Sequence, residues 1–535
     1  MQARIGIALA IAVLVLLCAC NPGPKYARPP ASAPTAFKEA PPQFKEGNGW
    51  KLAQPGDDKI RPKWWEMYGD PQINALEEQV QISNQTIVTA EANFRSARAL
   101  VVSTRSQLFP FIGGTASYTN SRFSSNARNI VTPGSAGSTS SSSKNSAINN
   151  FSLSADLTYT VDLWHRIRNT IAANAFSAQA SAADIATALL STQAELASDY
   201  FQVRALDMQR AILEGTLANY REALNLTLTL FKAGIDSEQD VAQARTQLDT
   251  AIAQETDLGV ARAQFEHAIA TLIGKPASEF SLAVSRFEPT PPPVPVAVPS
   301  ELLERRPDIA AAERRVASAN AEIGIARAAY YPTLSLSASG GFQASQIAQW
   351  FTWPSRFWSL GPSLSQTLFD AGARRALNEQ AEASYDASVG NYRQTVLGAF
   401  QAVEDNLAAL RILAQEVFEQ QTAINSSAHY LALALTRYKA GMDSYLNVIT
   451  AQNAVLTNRE AQVQTRSRQM TSSVSLIMAL GGGWDAAQLP QMKDLLAKPG
   501  KWFPAGAAAG TPPGNPATPN PPAVEAVPLQ TNPQR

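Results

Sequence analysis

Three histidines, His165, His267 and His429, and two cysteines, Cys18 and Cys20, are the side chains of this chain best suited to metal ligation or nucleophilic attack. The histidines are far apart and each sits in helical sequence, while the cysteines lie two residues apart near the N-terminus, so neither a CxxC nor an HExxH spacing exists. A GxSxG elbow is also missing, and Gly481-Gly482-Gly483-Trp484 follows a helical stretch, which is the wrong context for a phosphate loop. The seven methionines are scattered. These patterns predict a protein without an active site, a resident metal or a cofactor.

The polar chemistry that repeats lies at two turns. Phe231-Lys232-Ala233-Gly234-Ile235-Asp236-Ser237 returns as Tyr438-Lys439-Ala440-Gly441-Met442-Asp443-Ser444, with five of seven residues identical. In both, Gly suits a helix end and Asp-Ser suits the cap of the next helix. Upstream, Leu108-Phe109-Pro110 is echoed by Tyr330-Tyr331-Pro332. The chain is built twice, and the same order of elements must position each turn.

That order is legible from periodicity. Helical sequence opens at Asp70-Pro71 and runs to about Leu108, where Pro110 ends it. Strand-like sequence follows at about 111–125 and 150–161. In the second stretch Phe151, Leu153, Ala155, Leu157, Tyr159 and Val161 alternate with Ser152, Ser154, Asp156, Thr158 and Thr160. A Ser-rich loop, 126–149, separates the two. The second copy repeats the pair at about 333–345 and 357–368, with Leu334, Leu336 and Ala338 set against Ser335, Ser337 and Ser339. Between 165 and 230 there is no proline and a single glycine, Gly215, which predicts one helix of about 65 residues, ~100 Å long. Its counterpart spans 371–436. Helices this long require partners in a coiled-coil assembly. The turns are then helix tips, 231–240 and 438–447.

The ends of the chain differ from its body. Residues 1–19 read as a signal peptide: Arg4 supplies positive charge, and Ile5 to Leu17 is apolar but too short to span a bilayer. The closing Leu17-Cys18-Ala19-Cys20 resembles the lipobox of bacterial lipoproteins, which makes Cys20 the lipidated N-terminus of the mature chain. No cysteine follows, so disulfides cannot brace the rest. Residues 20–62 are Pro-rich, as in an extended segment anchored by that lipid. The first copy fills 63–290, a Pro-rich connector 291–299, the second copy 300–484, and an extension 485–535 ends in sequence composed like a disordered tail. Charged residues are 16% of the chain and the formal net charge is zero. No basic run suggests nucleic acid.

Alternating stretches of this length match outer membrane strands, but four cannot close, and an open sheet edge in lipid costs several kcal/mol per unpaired group. Three chains of four strands give an even barrel of twelve, the simplest closure that leaves a passage. The long helices would continue that passage as a second tube.

Trp64-Trp65-Glu66-Met67-Tyr68-Gly69-Asp70-Pro71-Gln72, Glu304-Arg305-Arg306-Pro307-Asp308-Ile309 with Ala312-Glu313, and Ile323-Gly324-Ile325-Ala326 before Tyr331-Pro332 together resemble the outer membrane factor family. Its members include TolC-like exit ducts, and the likeness is greatest to the NodT-type lipoprotein branch serving resistance-nodulation-division efflux pumps. The resemblance implies an α+β membrane protein that is a homotrimer, with a shared twelve-stranded antiparallel β-barrel and a long periplasmic α-helical barrel. It implies a passive duct for drugs or other small toxic compounds, fed by a periplasmic adaptor and an inner membrane pump. It also implies that the tips, with Lys232, Gly234, Asp236, Ser237, Lys439, Gly441, Asp443 and Ser444, are where the adaptor docks. The gate would narrow near Asp240, Asp443, Asn447 and Thr450. Asn447 and Thr450 stand where many relatives carry acids, so a full acidic ring is not expected. The competing expectation is a trimeric coiled-coil structural or adhesive lipoprotein without a pore.

Overall fold

The computed structural model describes residues 21–31, 34, 37–39, 63–122, 147–285, 290–293 and 302–496. The signal peptide, Cys20, most of the Ser-rich loop, residues 294–299 of the connector and the extension beyond 496 lie outside the described residues.

In the first copy the elements are α1 (Pro71–Ser83), α2 (Gln85–Ser106), β1 (Phe111–Ser121), β2 (Ile148–Val161), α3 (Arg166–Lys232) and α4 (Glu238–Leu272). In the second they are a single helical turn (Leu302–Arg305), α5 (Pro307–Ala328), β3 (Thr333–Ala344), β4 (Arg356–Ser365), α6 (Ala373–Lys439) and α7 (Tyr445–Ala479). The strands form one antiparallel sheet in the order β1-β2-β3-β4. Helices α3 and α6 have 67 residues each, which at 1.5 Å per residue makes each ~100 Å long.

The sequence pattern suggested one helix from Asp70 to Leu108, and the chain instead breaks at Asn84. The Asn84 side chain accepts from the backbone N–H of Thr86 (2.8 Å) and Ile87 (3.2 Å), starting a new helix, while its amide donates to Leu272 O at the end of α4. The second copy breaks at the matching place. Arg306 donates to Ala479 O (2.8 Å) at the end of α7, and Pro307 takes the first position of α5. Each break packs onto a helix ended by glycine. A Cβ on Gly274 would lie 2.4 Å from Ser83 O, and one on Gly481 would lie 2.1 Å from Arg305 O; both residues have positive φ. His165 also differs from a helix-face residue, since it sits just before α3 with φ 57°, where the chain turns out of the sheet.

The core lies where both copies meet. Trp64 and Trp65 pack with Ile73, Val80, Tyr200, Phe201, Val316, Val403 and Val474 in one cluster. Each such side chain taken from water contributes ~1.5–3 kcal/mol. Alanines 173, 175, 178, 180, 182 and 183 are buried along the first third of α3 and let α2 and α5 approach closely. Farther along α3, past its middle, Asp207 is fully buried between Arg204 (2.9 Å) and Arg262 (2.8 Å). These groups also hold the chain after α4: Arg204 donates to Ala283 O, Ser285 N–H donates to Asp207, and Arg262 donates to Leu282 O.

Candidate channel face and helix tips

Because side chains alternate along strands, the register divides the sheet into two chemically distinct faces. On one, Ile112, Leu157, Ala338 and Leu360 line up across all four strands, with Tyr159, Leu336 and Pro362 beside them and Val161, Leu334 and Leu364 below. These residues are exposed although apolar: Leu360 is 74% and Trp358 82% exposed. The opposite face carries Thr115, Ser154, Asp156, Thr158, Ser337, Ser339 and Ser359. Aromatic residues stand at both ends of the apolar face. At the loop end Tyr118, Phe151, Trp350 and Phe351 pack in sequence with centroids 4.8–5.7 Å apart. At the helix end Trp164 stacks on Tyr331 at 4.6 Å and donates to Pro332 O. An apolar band between two aromatic girdles, backed by a polar face, is the pattern of a sheet with lipid on one side and water on the other. The edges β1 and β4 carry no partner strand among the described residues.

Where sheet becomes helix, Asp162 accepts from the N–H groups of Ile167 and Arg168 (both 3.0 Å), and Asp370 accepts from those of Gly372 and Arg374 (both 3.2 Å). These are unassigned by the sequence reading, yet an Asp just before a helix is a readable capping signal. The N-terminal segment starts here too. Asn169 donates to Asn21 Oδ1 (3.2 Å), Asn320 donates to Pro24 O (3.1 Å), Tyr26 bonds Glu313, and the backbone N–H groups of Lys38 and Glu39 bond Glu404. The segment therefore runs from the base of the sheet down the helices.

At the far ends of the helices, α3, α4, α6 and α7 converge on a small cluster containing Ala223, Ala244, Ala434, Tyr438, Tyr445 and Val448. Gly234 and Gly441 have φ of 74° and 71° and end the long helices. Lys232 and Lys439 are exposed. Ser237 and Asp240 form a reciprocal capping box at α4. Asp236 accepts a hydrogen bond from the Tyr438 hydroxyl, which also lies 3.1 Å from Thr227 Oγ1. Burial, with Asp236 beside it, holds the Tyr438 hydroxyl far above the usual phenol range. Asp443 accepts from Asn447 and from Arg437 Nε (3.1 Å), and these contacts hold its carboxyl below the ordinary value. Ser444 makes no side-chain cap, and Thr450 bonds back to Leu446 O. A second bridge lies further along, where Gln247 donates to Tyr220 (3.0 Å) and bonds Asn453. Sequence reasoning singled out Asp236 but not its partners Tyr438 and Thr227. The substitution of Phe231 by Tyr438 in the second heptapeptide was the available signal.

Among the described residues no group of His, Cys, Asp and Glu is placed to hold a metal ion. No described helix is long and apolar enough to cross a membrane.

Comparison with known proteins agrees with this geometry. The family model described as "Outer membrane efflux protein" matches twice, over residues 76–275 and 298–482. The pyoverdine export outer membrane protein OpmQ of Pseudomonas aeruginosa is 31% identical over 79% of this chain and 88% of its own length. The solvent efflux pump outer membrane protein SrpC of Pseudomonas putida is 31% identical over 88% and 96%. The solved outer membrane channel OprN superposes with a TM-score of 0.75 at 30% identity, covering 87% of this chain and all of that one. The fold is thus TolC-like, the pore-free coiled-coil alternative falls away, and the protein is not an enzyme. With two matched copies and a two-faced sheet, the chain belongs to the outer membrane efflux protein family and serves as an outer membrane exit duct.

Proposed function

We propose that three copies close a twelve-stranded barrel and receive substrate at their helix tips from a periplasmic adaptor and an inner membrane pump of the resistance-nodulation-division type. The observation that carries the reading is the sheet: its apolar face is exposed and, among the described residues, neither edge has a partner strand, a state that lipid penalises by several kcal/mol per unpaired backbone group. Edge β1 of one copy pairing with β4 of the next removes the penalty. The lumen is then lined by the Ser/Thr face, and substrate moves through water. In this reading the adaptor docks at Lys232, Gly234, Asp236, Ser237, Lys439, Gly441, Asp443 and Ser444, the gate narrows near Asp240, Asp443, Asn447 and Thr450, and the bond from Tyr438 to Asp236 joins the two tips.

Cys20 is the lipid-bearing residue in the same proposal. Asn21, its neighbour, is bonded at the base of the sheet, the level at which a barrel meets the inner leaflet, so an acyl chain there enters lipid without stretching the segment. Cys20→Ser removes palmitate labelling while leaving the barrel intact. The broader reading is tested by expressing the chain in an efflux-deficient bacterium with and without an adaptor and pump encoded beside it. Accumulation of a fluorescent dye falls only when all three are present; a fall with the chain alone contradicts the tripartite assignment. Antibiotics and solvents, the cargoes named for relatives, are the first substrates to test.

A further inference from the structure

We propose that Asp156 fixes a negative charge within the barrel and makes the outer part of the duct favour cations over anions. The inference rests on the barrel closure proposed above. Among the described strands Asp156 and Arg356 are the charged residues. They lie on opposite faces. Arg356 pairs in register with Phe342 on the apolar face, and its guanidinium stacks on the Trp353 ring at 2.8 Å. Asp156 pairs with Gly113 and Ser339 on the polar face, with Ser359 next in the row, so no basic side chain of the sheet stands beside it.

Its position is built rather than incidental. Ser154 Oγ donates to Asp156 Oδ2 (2.8 Å) and Ser339 Oγ to Oδ1 (2.6 Å), so both oxygens are held against the sheet wall by neutral donors that leave the charge uncompensated. Asp156 lies five residues from the helix-side end of β2, ~17 Å along the strand, well inside the sheet. The nearest charges beyond that end, Asp162, Arg166 and Arg168, lie about as far away or farther, past one screening length at ordinary salt. Three copies would present three carboxylates at one level of a low-dielectric-walled passage, which concentrates counter-ions there.

The test is the reversal potential of reconstituted channels under a potassium chloride gradient, with the neutral substitution Tyr438→Phe added so that the tips are not limiting. At ~0.1 M salt Asp156→Asn and Asp156→Ser each lower the potassium-to-chloride permeability ratio by about two-fold or more, Asp156→Glu does not, and the difference fades near 1 M as screening shortens to ~3 Å. A ratio unchanged by both neutral variants at low salt overturns the inference. Failure of the Asp156-containing protein to form any channel overturns instead the closure on which it rests.

Discussion

Phe231 and Tyr438 hold the same place in two copies of one heptapeptide, yet Phe231 is 42% exposed while Tyr438 is 4% exposed and bonded to Asp236 of the other copy. The surrounding caps diverge as well. Ser237 closes a capping box with Asp240, whereas Ser444 makes none and Asp443 is held by Asn447 and Arg437. Further along the long helices the difference recurs. Arg204 is buried with Asp207, while Arg411, its counterpart in α6, is an exposed partner of Glu39. Asp199 corresponds to Asn406, which bonds its own helix. Duplication supplied the frame, and side-chain substitution then gave the copies different tasks. The first holds the middle of the helical region through buried charge. The second supplies the hydroxyl that ties the tips.

The contrast predicts effects of graded size. Asp207→Ala leaves buried Arg204 without its carboxylate, while Arg262 keeps Glu266 (2.9 Å), and destabilises the protein by about 3–5 kcal/mol, whereas Arg411→Ala costs less than about 1 kcal/mol; denaturant midpoints compare them, and equal losses would break the assignment of roles. Tyr438→Phe removes one hydrogen bond to a carboxylate, worth about 1.5–3 kcal/mol. It should raise single-channel conductance, while Phe231→Tyr should leave it unchanged.

Asp199 sharpens the comparison through pH. Burial, with Glu195 adding to it, pushes its carboxyl up to about 6 from an ordinary 3.8. An acid raised on folding binds its proton more tightly in the native state, so the stabilisation is full below about 4 and is lost as pH rises through 6. Heat resistance should therefore be greater at pH 5 than at pH 7.5, and Asp199→Asn should flatten that slope. Asn406→Asp should steepen it. The smallest effect is expected from Asp443→Ala, whose exposed pairing with Arg437 contributes little. Its conductance should change less than that of Tyr438→Phe, and a larger change would place the constriction at Asp443 rather than at the bond between Tyr438 and Asp236.

Much of this architecture was legible because two periods, two and 3.6, survive in the sequence: the Leu/Ser alternation of 334–339 and the proline-free run before Leu230 left little room for other elements. Strand and helix ends moved by a few residues, as caps rather than periodicity decide them. Asn84 was missed because a polar residue inside an amphipathic run reads as a solvated face until its partner, Leu272 O, is known. The tips were found by repetition, but Tyr438 joined to Asp236, and Arg262 joined to Asp207, are contacts between segments that no local pattern encodes. The polar face containing Asp156 was visible as alternation. Its isolation from other charge needed the register.

The central claim is that β1 of one copy pairs with β4 of the next. Cysteines introduced in pairs, one along β1 between 113 and 119 and one along β4 between 357 and 363, test it directly, because no other cysteine follows Cys20. Oxidation in outer membranes should yield, at one register, a ladder of covalent species that ends at three chains. Monomer alone at every register, or a ladder continuing beyond three, contradicts the account.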